Sequence, residues 1–287
     1  MMKPTVENLD TLEPNTWCKG CGNFGLLRAL KATIAELEYP KEQYFLVTGI
    51  GCHGKLYNYV DVNGFHGIHG RTLPLATGVK LTNHELIVIC AAGDGDQYDE
   101  GLGHFPHAAR RNIDIKLFTH NNKVYGLTTG QTAPTAIQGY RSKTTLHGAP
   151  SPRLEPLKIA LASNASFVAR GWVGDLEHLK DLMKAAIQHR GFALVDIFQV
   201  CFTFNREQTF QFYRDRVYKL EDEGHNPSDL HQAWTRAQEW GDRIPIGLFY
   251  QEDRPIYRDS LPQLKKETLI KQPLAPKGLD KVLKEFM

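Results

Sequence analysis

LIVICAAGDGDQYDEGLGHFPHAARRNIDIKLFTHNN, residues 86–122, decides the fold. Seven apolar residues, 86–92, run without alternation, as in a strand covered on both faces. An acidic glycine turn follows, Gly93-Asp94-Gly95. Residues 101–111 then read as a helix, and residues 113–119 as the next strand, which leads into Asn121-Asn122. A strand–helix–strand unit of this length predicts parallel neighbours joined by a crossover. Both polar turns then fall at the carboxyl ends of neighbouring strands, where open α/β sheets take their ligands.

The same alternation extends in both directions. Upstream, residues 44–47 are a short apolar strand that runs into Gly49-Ile50-Gly51-Cys52-His53-Gly54-Lys55. Glycines at 49, 51 and 54 let that loop approach a ligand closely. Before it, Trp17-Cys18-Lys19-Gly20-Cys21-Gly22 is a compact CxxC turn. Asn23 is expected to cap a helix with Phe24, Leu27, Leu30, Ile34 and Leu37 on one face. Residues 58–70 read as a Gly- and His-rich loop ending at His69-Gly70-Arg71, and residues 72–81 as a helix with Leu75, Ala76 and Val79 inward. Downstream, residues 123–155 form a long loop, of the kind that is functional or covered by a partner. Helices at 156–163 and 175–189 and strands at 167–169 and 192–199 complete the pattern. The expected fold is α/β, a doubly wound, mostly parallel sheet. Residues 1–205 are expected to form the ligand-binding domain. Residues 206–287, where the pattern weakens, are expected to be a C-terminal extension packed on that domain or on a partner.

Composition excludes several classes. With 34 basic and 32 acidic side chains the net charge is +2, which gives no electrostatic case for nucleic acid or an anionic membrane. No apolar run approaches a membrane span, and the N-terminus lacks the apolar core of a secretory signal. The cytoplasm is the expected compartment, where five cysteines point to metal ligation, catalysis or burial rather than disulfides.

Two constellations carry chemistry. Cys18, Cys21, Cys52 and Cys201 sit at turns, three of them (Cys18, Cys21 and Cys52) on loops that carry glycine. Four thiolates suit tetrahedral zinc or a [4Fe–4S] cluster, and spacing does not separate these. A third reading has only the CxxC pair on metal, with Cys52 and Cys201 as buried thiols. Cys90, inside LIVIC, is expected in the core. The second constellation is a site for a diphosphate carried by Mg²⁺, which prefers hard oxygen ligands. Asp94 offers a carboxylate, Asn122 a side-chain oxygen and Val124 a backbone carbonyl. Amides opening the helix near Gly101 are expected to help hold negative charge. The bland reading makes GDG a turn and NN a loop.

These motifs resemble the β subunits of 2-oxoacid:ferredoxin oxidoreductases. WCKGCGNFG, GIGCHGK, HGRTLPLATGVKL, GDGDQYDEGLGHFPHAARRN, NNKVYGLTTGQTAPT and VCFTFN occur in the family's order across residues 17–205. The pattern departs at His53 and Thr129, where relatives carry other residues, and at Ala133, where serine is more usual. The resemblance implies one [4Fe–4S] cluster on Cys18, Cys21, Cys52 and Cys201. It implies Mg²⁺ on Asp94, Asn122 and Val124. Thiamine diphosphate would lie against Ile50, Gly51, His69, Gly70, Gly93, Asp94, Gly95, Asp96, Asn122, Val124, Gly126, Leu127 and Thr128. Lys55 matches a position near the substrate carboxylate, and His69 and Arg71 are candidates for the pocket.

The implied reaction is oxidative decarboxylation of a 2-oxoacid to acyl-coenzyme A and CO₂. Electrons pass through the cluster to ferredoxin, and the reaction is reversible toward CO₂ fixation. VCFTFN resembles the 2-oxoglutarate or broad-range branch, with the pyruvate enzyme as the alternative. A zinc-stabilised, non-catalytic partner-binding subunit is the alternative of another class. A glutamate that activates the cofactor's aminopyrimidine has no local candidate, since Glu85 precedes a core strand and Glu100 reads as an exposed loop acid. An α subunit is expected to supply it, together with much of the coenzyme A site, in an (αβ)₂ heterotetramer.

Overall fold

The computed structural model describes residues 3–273 and 278–287. Its strands are β1 (Tyr44–Thr48), β2 (Asn63–His66), β3 (Ile87–Gly93), β4 (Lys116–Asn121), β5 (Val124–Tyr125), β6 (Gln131–Thr132), β7 (Phe167–Trp172), β8 (Ala193–Phe198), β9 (Val217–Lys219) and β10 (Ile244–Gln251). Eight of them form one sheet in the order β2-β1-β3-β4-β8-β7-β10-β9. Neighbours are parallel from β2 to β7. β10 runs antiparallel to β7 and carries β9 parallel to itself.

Helices cover both faces, which is why β3, β4, β7 and β8 are apolar or buried along their lengths. On one face α1 (Asn23–Leu37) and α5 (Leu176–Gln188) bury Leu26, Leu30, Ile34, Leu179 and Met183 against Ile89, Phe118 and Val195. Each such side chain contributes about 1.5–3 kcal/mol by leaving water. On the other face α2 (Thr72–Thr82), α3 (Phe105–Arg110), α4 (Pro156–Ala162) and α7 (Leu230–Ala237) pack on Val88, Cys90, Leu117 and Leu194. Cys90 is fully buried there.

Several local expectations change. Asn23 does not cap α1. Gly22 holds the cap position, and the Asn23 side chain turns inward to His120, Oδ1 to Nδ1 at 2.8 Å. The buried face of α1 therefore runs through Asn23, Leu26, Leu30 and Ile34, and Phe24 is exposed. In α2 the deepest residues are Leu73 and Ala76, with Leu75 and Val79 half-buried. The 58–70 loop contains β2, a short polar edge strand. Helical backbone begins at Asp94, directly at the glycine turn, rather than at Gly101. Residues 123–155 contain the small β5–β6 hairpin. Residues from 206 onward pack on the domain partly by extending its sheet, since β9 and β10 lie there and Leu220, Ala233 and Phe249 enter the core. No described helix is long and apolar enough to cross a membrane.

Candidate cofactor cleft and cysteine cavity

Parallel pairing of β1, β3, β4 and β8 puts four loops at one edge of the sheet: 49–54, 93–95, 121–128 and 199–204. Two adjoining voids open there. The first, about 470 Å³, is lined by Ile50, Gly51, His69, Gly93, Asp94, Gly95, Asp96, Asn122, Val124, Gly126, Leu127 and Thr128 from the sequence-based set. Gly70 stands behind it, its N–H donating to Asp96 Oδ1 at 2.8 Å. Cys52, His53 and Tyr125 also line the cleft, and the diphosphate assignment did not include them. Cys52 was read as a thiolate ligand only, and the sole sequence signal of His53 and Tyr125 is a place inside the glycine loops.

Asp94 is buried. Its Oδ2 accepts from the Lys123 N–H at 3.1 Å and from the Thr135 hydroxyl. Burial raises its carboxyl above the ordinary carboxylate range, despite Thr135, Lys123 and a backbone hydrogen bond that act the other way. A cation beside such a carboxylate would favour its charged form. The paired asparagines divide their work. Asn121 braces the floor, donating to Asp196 at 3.0 Å and accepting from Thr135 at 3.0 Å. Asn122 borders the cleft, its Oδ1 accepting from the Val124 N–H at 3.1 Å.

Asp96 lines the cleft, yet its oxygens are already engaged. They accept from the N–H groups of Ile50 and Gly70 and from Thr72, and they face His53 Nε2 at 3.4 Å and His69 Nδ1 at 3.1 Å. Burial would raise its carboxyl, but the hydrogen bond and charge of His53, the Gly70 N–H and the charge of His69 together hold it below the usual range. Asp96 thus ties three loops together. Gly51, at φ +148°, has no room for a side chain because a Cβ would meet His53 at 2.7 Å. Arg71 is exposed and bonds the carbonyls of Gly70 and Glu100 outside the lining. Beneath the cleft Lys123 is buried over Phe198 and Trp240, and burial pushes it down to about 8.

The second void, about 670 Å³, is lined by Cys18, Cys21, Cys52 and Cys201, with Trp17, Lys55, Gly126 and Phe202 among its walls. Cys52, Gly126 and Leu127 belong to both voids. The CxxC turn is seated by Gly22 N–H donating to the Val200 carbonyl at 3.0 Å, which places it against Cys201. Trp17 Nε1 fixes the other side by donating to the Cys52 carbonyl at 2.7 Å. Burial, then the neighbouring cysteines, pushes the Cys21 thiol up to about 12. Burial also raises Cys52 and Cys201, with Lys55 partly offsetting the shift at Cys52. A Cβ on Gly126 would stand 3.6 and 3.7 Å from the sulfurs of Cys52 and Cys201, in the space between loops. Lys55 lies on the wall of this cavity rather than in the cleft, with Nζ donating to Thr16 Oγ1 at 2.7 Å.

Comparison with known proteins supplies the rest. A family model described as thiamine pyrophosphate enzyme, C-terminal TPP binding domain, matches residues 49–197. A second model, for the C-terminal part of the pyruvate ferredoxin oxidoreductase beta chain, matches residues 201–266. The chain is 43% identical over 274 residues to 2-oxoacid:ferredoxin oxidoreductase 1, subunit beta, of Aeropyrum pernix, covering 90% of this chain and 85% of that one. It is 38% identical over 193 residues to the 2-oxoglutarate synthase subunit KorB of Archaeoglobus fulgidus, covering 67% and 72%. A solved structure of 2-oxoglutarate:ferredoxin oxidoreductase from Magnetococcus marinus, with 2-oxoglutarate, coenzyme A and succinyl-CoA bound, superposes with a TM-score of 0.91. That match has 34% identity over 99% of this chain and 96% of the other.

Proposed function

The chain belongs to the 2-oxoacid:ferredoxin oxidoreductase β subunits, on the fold of the thiamine pyrophosphate enzymes, and from that premise we propose the thiamine diphosphate- and iron–sulfur-bearing half of a 2-oxoglutarate:ferredoxin oxidoreductase. The observation that carries the reading is the contiguity of the two voids through Cys52, Gly126 and Leu127. A cofactor in the cleft would stand beside whatever the four cysteines hold.

The residues fit both groups. Asp94, Asn122 and the Val124 carbonyl are hard oxygen donors suited to Mg²⁺, and both protein hydrogen bonds to the buried Asp94 carboxylate go to Oδ2, which leaves Oδ1 for a cation. Glycines 51, 93 and 95 leave the cleft open to a diphosphate. The thiols surround a cavity, and among the described residues no three His, Cys, Asp or Glu side chains converge as a single-ion site. Zinc needs ligands meeting at about 2.3 Å from one point, whereas a [4Fe–4S] cluster takes each thiolate on a separate iron. The four-thiol lining of the cavity is the donor set a cluster takes. Thiamine diphosphate supplies the carbanion chemistry that cleaves a 2-oxoacid.

The chain's own residues orient and shield. Asp96 and His53 hold the cysteine loop against the glycine turn. His69, paired with Asp96, lines the cleft as a candidate catalytic group. Lys55 makes no ion pair among the described residues and donates only to Thr16, so its charge remains available to a substrate carboxylate that reaches the wall of the cysteine cavity. Residues 1–205 carry both sites, and residues 206–287 buttress the sheet beyond β7. An α subunit would bring the activating glutamate and most of the coenzyme A site, in an (αβ)₂ enzyme of the cytoplasm that passes electrons to ferredoxin and runs in reverse to fix CO₂. Co-expression with that α subunit tests the substrate. Dye reduction that needs both 2-oxoglutarate and coenzyme A is the expected result. Activity with pyruvate alone would overturn the 2-oxoglutarate assignment.

A further inference from the structure

Gln199 lies just past β8 and is 1% exposed. Its N–H donates to the Asn121 carbonyl at 3.0 Å, which fixes the backbone beside the paired asparagines. The side chain then spans the two sites. Oε1 accepts from Asn122 Nδ2 at 2.8 Å. Nε2 donates to the Val200 carbonyl at 3.0 Å and to Cys21 Sγ at 3.5 Å. Backbone partners set both amide orientations. Val200 offers only an acceptor, so the Gln199 NH₂ must face it. The Val124 N–H requires Asn122 Oδ1, so Asn122 Nδ2 must face Gln199. The donors therefore run in one direction, from Asn122 through Gln199 to Cys21.

We propose that Gln199 is a positioning residue that couples the diphosphate cleft to the cysteine cavity, raising the reduction potential of the cluster when the cleft is filled. The proposal rests on the site reading above. A cation on Asn122 Oδ1 draws density from that amide and makes its N–H a stronger donor to Gln199 Oε1. Each hydrogen bond polarises the next, so the Gln199 N–H toward sulfur strengthens in turn. An N–H donor at a cysteinyl sulfur favours the more negative, reduced form of a cluster. Filling the cleft then makes the cluster of the cofactor-loaded enzyme the better electron acceptor. Backbone N–H groups of Thr203, Phe204 and Asn205 also act on the Cys201 sulfur, and the Asn205 side chain donates to the Asn122 carbonyl at 3.1 Å, but only Gln199 bonds both the Asn122 side-chain amide and a sulfur.

The test compares wild type, Gln199→Leu and Gln199→Glu in the anaerobically purified enzyme with its α subunit. Gln199→Glu is isosteric and keeps the acceptor used by Asn122, so it serves if the leucine variant does not fold. Iron per chain is measured, and the cluster midpoint is followed by EPR-monitored redox titration with and without Mg²⁺ and thiamine diphosphate. The β-subunit signal is identified by its loss in Cys201→Ser. The expected result is a wild-type midpoint that rises on adding the cofactor. Both variants should retain iron, titrate lower and lose that response. An iron-replete variant with wild-type midpoint and response would overturn the proposal. A wild-type cluster indifferent to the cofactor would overturn the coupling while leaving the cluster reading intact. Wild type without iron would overturn the cluster reading itself, whatever the variants do.

Discussion

Replacing Asp94 by asparagine separates the metal-binding oxygen from the fold that carries it. Both protein hydrogen bonds go to Oδ2, from Lys123 N–H and Thr135. Asparagine keeps them by placing its oxygen there, and its NH₂ then faces the cleft where Oδ1 stood. The loss of a direct carboxylate ligand exceeds the ~10–100-fold cost of an outer-shell partner. Affinity for Mg²⁺–thiamine diphosphate should therefore fall at least ~100-fold, about 2.7 kcal/mol. The metal-free protein should move the other way. Burial raises the Asp94 carboxyl above 3.8, so its stabilising contribution is complete below that value and is lost as pH rises through the raised folded value. The asparagine variant carries no such loss, so without metal it should melt above metal-free wild type at pH 7, with the gap closing toward pH 4. At about 100 times the wild-type Kd the cofactor adds about 2.7 kcal/mol to wild type and little to the variant, so the order of melting temperatures reverses. Titration calorimetry and thermal melting of the αβ enzyme read both effects. Binding within about threefold of wild type, or a metal-free variant less stable than wild type at pH 7, would refute the reasoning.

Cys201→Ser should abolish cluster absorbance and lower iron content. Cys90→Ser should leave both intact and cost about 1–3 kcal/mol for an unpartnered buried hydroxyl, read by iron assay and denaturant melts. Lys55→Ala should raise KM for 2-oxoglutarate severalfold more than for pyruvate, and equal effects in steady-state kinetics would remove Lys55 from substrate binding. His189 is pushed down to about 4 by burial, then by Lys116, and is held to Ser166 at 2.7 Å. Its neutral form stabilises the fold above pH 6.5, and that contribution disappears as pH falls from 6.5 toward 4. His189→Gln should flatten the acid side of the stability curve by ~1–2 kcal/mol once solvent screening is allowed for. An unchanged acid limb in pH-dependent melts would count against this.

The alternation of strands with helices was legible because β3, covered on both faces, reads as an unbroken apolar run, and β1 and β8 are apolar but for Thr48 and Asp196, while β4 opens on Lys116 and closes on polar residues. β2 was not, since NGFH at a sheet edge carries no apolar signal. β10 was hidden by Pro245 and Gly247, which demote a strand reading; Pro245 lies where β10 pairs with the short β9, and Gly247 pairs with Arg170 of β7 at φ +126°. The glycine loops announced the cleft. They did not reveal that Asp96 spends its oxygens on three loops, because such a network is set by register rather than by residue type. His53 and Gln199 were equally silent. A lone histidine or glutamine has no pattern, and each acquires its role only when β1, β4 and β8 bring distant loops together. The four cysteines could be listed from sequence, but nothing in their spacing brought Cys201 beside the CxxC turn. Pairing of Gly22 with Val200 does that.

The central claim is that a cysteine-held iron–sulfur cluster stands beside the diphosphate cleft, and metal analysis of the anaerobically purified chain with its α subunit tests it most directly. A brown protein whose cluster absorbance bleaches on reduction, with about four iron atoms lost from each β chain in Cys201→Ser, is the result expected. A colourless protein holding about one zinc per β chain, retained at neutral pH and released by chelator, would contradict it.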